Sequence, residues 1–200
     1  MNKSPDPCVE RWVTQPMART AVLLMDLQVD FLDTGKGRMP VGEEGASRVI
    51  AAARSVLAGT AFAGAIPVVV VNAFPRSQRV ANFFRNNAAV AGSEGAALDP
   101  RVALPVGTPV FPKAQANAFS NSELHPFLQS RSVTRVCVIG VFAEGCVRAT
   151  ALGAKALGYA VSVPLEAVAT NAPWKLWFAT RSLQIHGVQL PSRLVEVTGA

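Results

Sequence analysis

Charge is scarce in this chain. Only 16% of its 200 residues are Asp, Glu, Lys or Arg, against 50% hydrophobic residues and a mean hydropathy of +0.28. That balance excludes a disordered chain, which is charge-rich and poor in apolar residues. Long apolar runs are missing as well. None approaches the ~20 residues needed to span a bilayer, so no membrane association is expected. Cysteine is rare: Cys8, Cys137 and Cys146 are too few and too scattered for a disulfide framework. The opening residues 1–7 are polar and proline-containing, unlike a signal peptide, and a reducing, cytoplasmic setting is therefore expected. A chain of this length buries roughly 70% of its unfolded surface without staples. One domain over 1–200 is predicted, with 1–19 as a loose arm interrupted by Pro5, Pro7 and Pro16.

The charge that is present leans positive, at +6 with a pI near 9.8. Most of it is dispersed, with Arg48, Arg54, Arg101, Arg135 and Arg181 in separate segments. Arg76, Arg79 and Arg85 cluster, but no nucleic-acid motif accompanies them. The excess is read as a solubility feature, and no nucleic-acid partner is expected.

Apolar residues concentrate in short runs at 20–26, 66–72 and 135–140, with weaker ones at 108–111, 159–163 and 187–190. Runs apolar on both faces suit the buried strands of a parallel sheet. Alanine-rich helical stretches alternate with them at 47–62, 122–130, 144–157 and 174–185. Gly158 falls where a helix would be capped. The alternation predicts an α/β fold with helices on both faces of the sheet. Residues 73–107 are too many for an ordinary connection and predict a functional or interface loop containing a short helix.

In such sheets ligands sit at the carboxyl ends of the strands. The first run ends at Asp26, the segment near Thr108 leads to Lys113, and the run through Val136 leads past Gly140 to Cys146. An acid, an ammonium and a thiol on one edge form a candidate nucleophilic site. Helix-start amides and Lys113 would favour the Cys146 thiolate. Asp26 would move the proton as general acid and base. Backbone N–H groups of Phe142 and Cys146 would hold an oxyanion. His125 and His186 are not required. Singly, each member fits a plainer role: Asp26 as a turn cap, Lys113 as a solvated loop lysine, Cys146 as a small packing residue like Cys137. Their convergence favours chemistry.

Around this site Phe31, Asn72, Phe142 and Trp174 are candidate pocket walls. Trp174 and Trp177 equally suit a subunit interface. Arg76, with Arg79 and Arg85, either binds a substrate carboxylate or serves a solvated loop or subunit contact, the second being favoured. Glu144 is either a pocket acid for a cationic substrate or a helix cap or structural hydrogen-bonding group, and again the second is favoured.

Three pieces carry a family resemblance: residues 24–31 (LMDLQVDF), 111–113 (FPK) with 118–124 (AFSNSEL), and 138–150 (VIGVFAEGCVRAT) continuing to 157–159 (LGY). In this order and spacing the chain resembles the isochorismatase-like cysteine hydrolases. The resemblance implies a Rossmann-like three-layer sandwich with a mostly parallel six-stranded sheet of order 3-2-1-4-5-6. It implies a triad of Cys146, Asp26 and Lys113 and a cis peptide between Val141 and Phe142. Phe119, in the second piece, joins the substrate-facing candidates. A cysteine at 146 points to the amidohydrolase branch. Nicotinamidases of this family carry an Asp-x-His metal motif after the second strand, where residues 72–76 here read NAFPR, so no metal and no cofactor are expected. Residues 145–150 and 166–168 look most like relatives of N-carbamoylsarcosine amidase and maleamate amidase. Ala143 and Glu144 depart from the small hydroxyl-bearing pair common there, and nothing after Ala169 matches. The expectation is a homo-oligomeric (dimeric or tetrameric) hydrolase that cleaves a C–N bond of a small amide or ureido compound through a thioester. The alternatives are isochorismatase-type vinyl ether hydrolysis, a non-catalytic binding relative, and a redox-sensing cysteine at 146.

Overall fold

The computed structural model describes residues 19–194. Apart from Arg19, the arm expected at 1–19 lies outside them, as does Cys8. In chain order the elements are β1 (Arg19–Met25), α1 (Val29–Leu32), α2 (Glu43–Leu57), β2 (Ile66–Asn72), α3 (Arg79–Phe84), β3 (Val110–Lys113), α4 (Leu124–Ser130), β4 (Val133–Val141), α5 (Arg148–Ala156), β5 (Ala160–Ser162), β6 (Val168–Ala169) and α6 (Pro173–Ile185).

The two-faced apolar runs form the middle of the sheet, and alternation along each strand divides them between two cores. Ala21, Leu23, Met25, Val68, Val70, Val136 and Val138 pack with Leu124 and Leu128 of α4, Ala151 and Ala154 of α5, and Leu183 of α6. Val22, Leu24, Val69, Cys137 and Ile139 point the other way, onto Ala46, Val49, Ile50 and Ala53 of α2. Helices thus cover both faces.

All strand pairings are parallel, in the order β3-β2-β1-β4-β5. The sixth strand departs from the expected position. β5 pairs with the first half of β4, and β6 pairs with its end at Gly140 and Val141. Pro164, which has no N–H for a ladder, separates β5 from β6, so the two form one interrupted edge beside β4. The run expected as a last strand at 187–190 contributes a single parallel bridge, Ser162 to Gln189. Gly140, on β4 opposite Met25 of β1, has φ +118°, and a Cβ there would overlap the carbonyl oxygen of Met25. Only glycine fits.

The long segment 73–107 contains α3 and a short 3₁₀ turn at Glu94–Ala96. It is tied back to the first strand's exit by Val29 N–H donating to the Ala97 carbonyl and Asp99 N–H to that of Leu27. Among the described residues no helix is long and apolar enough to cross a membrane.

Candidate active site

Register brings four strand ends to one edge. Met25 of β1 lies opposite Val70 of β2 and Gly140 of β4, and Asn72 of β2 lies opposite Lys113 of β3. Just past β1, Asp26 adopts φ +56°, a left-handed conformation Asp tolerates better than most residues, and its N–H donates to the Val70 carbonyl at 2.8 Å.

The centre of the cluster is the Lys113 ammonium. It donates to Asn72 Oδ1 at 2.6 Å, to Asp26 Oδ2 at 3.1 Å and to Cys146 Sγ at 3.2 Å. Three donors meet three acceptors, which satisfies the charge although Lys113 is almost fully buried. Asp26 and Asn72 are buried beside it, and Cys146 is partly exposed. Asp26 Oδ1 is buried with no hydrogen-bond partner among the described residues, leaving an open acceptor next to the thiol.

Cys146 sits in a π-helical turn, Ala143–Val147, kinked at Gly145 (φ −98°, ψ −107°) and directly preceding α5. The Val141–Phe142 peptide that leads into this turn is cis. Gly145 and Val147 N–H groups both donate to the Phe142 carbonyl, wrapping the turn around it. Cys146 therefore precedes α5 instead of opening its first turn. Its protonation also runs against expectation. Burial and then the Asp26 charge push the thiol up to about 12, outweighing the opposing pull of Lys113. Burial likewise raises the Asp26 carboxyl above its ordinary range, against Lys113. Both shifts favour the protonated forms, and Lys113 opposes each.

The other sequence candidates divide. Phe31 is buried and meets Phe142 edge-on, with centroids 5.5 Å apart. Asn72 is engaged by Lys113 and is not a free pocket wall. Phe119 stacks on Tyr159 at 6.0 Å, and Tyr159 in turn hydrogen-bonds His125 Nδ1 at 2.9 Å, so its ring belongs to an aromatic group. Glu144 makes no cap. Its Oε1 lies 3.5 Å from Lys175 Nζ, and its Oε2 is buried with no hydrogen-bond partner among the described residues. Arg76 is held to its own loop by the carbonyls of Ala91 and Gly92. Trp174 is 68% exposed on α6.

Two further buried polar side chains, Gln28 and Asp30, hold the segments that follow the strand ends. The Gln28 side-chain amide donates to the Asn72 and Ala96 carbonyls (2.8 and 2.7 Å) and accepts from Asn72 N–H (2.8 Å), clamping the end of β2. The Asp30 carboxylate accepts from the backbone of Arg38 (3.2 Å) and Ala89 (2.8 Å). The available signal was a polar pair embedded in an apolar stretch, which has to be hydrogen-bonded if it is buried. Among the described residues no three His, Cys, Asp or Glu side chains gather as a metal cluster.

A doubly wound parallel sheet with a buried Asp–Lys pair against a cysteine at its carboxyl edge is the arrangement these observations define. The family model described as the isochorismatase domain matches residues 20–190, and the chain belongs to this family of hydrolases. It is 29% identical over 178 residues to "Probable inactive nicotinamidase" of Arabidopsis thaliana, covering 82% of this chain and 85% of that one. It is 35% identical over 91 residues to N-carbamoylsarcosine amidase of an Arthrobacter species, covering 44% of this chain and 34% of that one. The crystal structure of N-carbamoylsarcosine amidase from Thermoplasma acidophilum superposes with a TM-score of 0.74 at 24% identity, covering 92% of this chain and all of that one.

Proposed function

We propose that the chain is a cysteine-dependent amidohydrolase acting on a small amide or ureido compound. One observation carries the reading: a single buried ammonium, Lys113 Nζ, within 3.2 Å of Asn72, Asp26 and Cys146 at once. The resting thiol is weakly acidic, so its proton passes to Asp26 as Sγ attacks the substrate's carbonyl carbon. Lys113 stabilises negative charge as it shifts between sulfur and carboxylate. Backbone N–H groups of Phe142 and Cys146 receive the oxyanion. When the tetrahedral intermediate collapses, the C–N bond breaks and Asp26 returns the proton to the leaving nitrogen, giving ammonia or an amine and a thioester on Cys146. Water then attacks the thioester, Asp26 takes a proton from it, the C–S bond breaks, and the thiol is reprotonated.

The similarity to N-carbamoylsarcosine amidase, whose name specifies a C–N bond of a ureido compound, supports this choice within the family. A second reading, a non-catalytic relative, is favoured by the description of the Arabidopsis protein as inactive. The reading includes self-association: Trp174 and Trp177 are 68% and 70% exposed on α6, a composition typical of subunit contacts. Sedimentation of wild type against Trp177→Glu tests that part.

The activity is tested by ammonia release from a panel of small amides, ureido acids and carbamoyl amines, comparing wild type with Cys146→Ala. Release confined to one compound class and lost in the variant is expected. Release that survives the substitution would remove Cys146 as nucleophile. Pyruvate released from a vinyl ether in the variant would favour the isochorismatase-type reaction. Silence across the panel would favour the non-catalytic relative.

A further inference from the structure

A cleft of about 460 Å³ opens in the long segment after β2, lined by Arg38, Arg76, Arg79, Asn82, Asn87 and Ser93 together with Phe83 and Val90. Three guanidinium groups border it, and none of them is in a salt bridge among the described residues. No carboxylate appears among the described residues of its lining. Arg38, Arg76 and Arg79 are exposed, and three such cations at one cleft with no carboxylate beside them among the described residues give it a positive potential that draws anions.

The guanidiniums are also held in place. Arg38 donates one N–H to the Asn87 carbonyl at 3.1 Å, and Arg76 donates Nε–H to the Ala91 carbonyl at 3.1 Å. Each guanidinium has five N–H donors, so both retain free ones. The Arg79 guanidinium makes no hydrogen bond or ion pair among the described residues, its backbone N–H alone donating to the Ser77 carbonyl. The wall carrying these groups is built with effort: Asn86, Asn87 and Ala89 all adopt left-handed φ values of 51–55°. Asn86 Nδ2 donates to the Arg38 carbonyl at 2.8 Å, and the buried Asp30 carboxylate receives the backbone N–H groups of Ala89 and Arg38. Asp30 is thus engaged from below by amides. Arg85, expected from sequence to belong to the cluster, turns away: it stacks on Phe74 at 3.9 Å and donates to Asn82 Oδ1. Arg38, remote in sequence, takes its place.

We propose that this cleft binds a small, multiply charged anion presenting several oxygens, of the phosphoryl or dicarboxylate class. Planar, partly anchored guanidiniums match such oxygens in pairs. The cavity suits a small molecule and not a polymer, since Arg48, Arg54 and Arg181 lie in other segments and extend no basic stripe from it. The site stands whether or not Cys146 turns over substrate.

The test is calorimetric titration of the full chain with pyrophosphate and with malonate at low ionic strength, alongside Arg76→Gln/Arg79→Gln and the remote control Arg181→Gln. Saturable binding of at least one probe is expected, weakened by about 30-fold or more in the double variant and unchanged in the control. Whichever probe binds more tightly identifies phosphoryl or carboxylate as the source. If the double variant proves unstable, Arg79→Gln alone serves, because that side chain makes no hydrogen bond or ion pair among the described residues; about tenfold weakening is then expected. The proposal is overturned by an absence of saturation up to about 10 mM, by equal affinity in the arginine variants, or by an equal loss in Arg181→Gln, which would mark a diffuse ionic atmosphere.

Discussion

Asp26→Asn separates the two jobs assigned to Asp26, because it removes the negative charge and keeps the shape. Asp26 and Cys146 both contact the same Lys113 nitrogen, at 3.1 and 3.2 Å. For unit charges about 5 Å apart in an effective dielectric of about 20, the interaction is about 3 kcal/mol, or about two pKa units. The Asp26 charge is the second cause, after burial, of a Cys146 thiol pushed up to about 12. Without it Lys113 acts unopposed, the thiol becomes more acidic, and the thiolate fraction near pH 8 rises by up to about 100-fold. Alkylation of Cys146 by iodoacetamide should accelerate accordingly. Turnover should fall by about 10²–10⁴-fold, because the amide can neither take the proton nor return it. The assay is mass spectrometry of the Cys146 peptide over a pH series, run beside ammonia release, with buried Cys137 as the internal slow reference. Few structural artefacts move the two readouts in opposite directions. Slower or unchanged alkylation in a variant with native circular dichroism would refute the electrostatic account of the cluster.

Two further outcomes follow from the fold. Cys137 and Cys146 are both raised from about 9 to about 12, so the folded chain retains protons that the unfolded chain releases between those values. Stability is therefore full below about pH 9 and declines as pH rises toward 12, by about 2 kcal/mol per thiol at pH 10.5. Urea denaturation at pH 8 and 10.5 measures the decline, and Cys137→Ala should reduce it; a flat wild-type profile would contradict the burial argument. Gly140→Ala places a side chain against the Met25 carbonyl at a φ of +118° and should cost more than about 3 kcal/mol, seen as a lowered Tm or loss of soluble protein.

Much of the architecture was legible because it is local. The run 66–72 is apolar at every position but its last, Asn72, a pattern that suits a strand covered on both faces. Its observed bounds, Ile66–Asn72, coincide with the run. Gly158 at φ +89° ends α5 where a residue free of Cβ strain was anticipated. Helix α2 begins at Glu43, earlier than expected, and stops at Leu57, because the chain turns through Gly59 and Phe62 returns to the core separately. The run at 187–190 does lie parallel beside β5, as the expected order has it, but through a single bridge, while the extra short strand β6 arises where Pro164 interrupts the edge beside β4.

The sequence by itself determined that Asp26, Lys113 and Cys146 share one edge, since parallel strands of known direction bring their carboxyl ends together. Tertiary structure alone decided that Asn72 completes the Lys113 contacts, that Gln28 holds Asn72, and that Arg38 replaces Arg85 in the basic cleft. It also decided that burial and Asp26 oppose Lys113 at the Cys146 thiol. Periodicity and direction are properties of neighbouring residues and can be read along the chain. Desolvation and Coulomb interaction depend on every group that packs around an atom, and for Cys146 those groups come from β1, β3 and a turn that are distant in sequence.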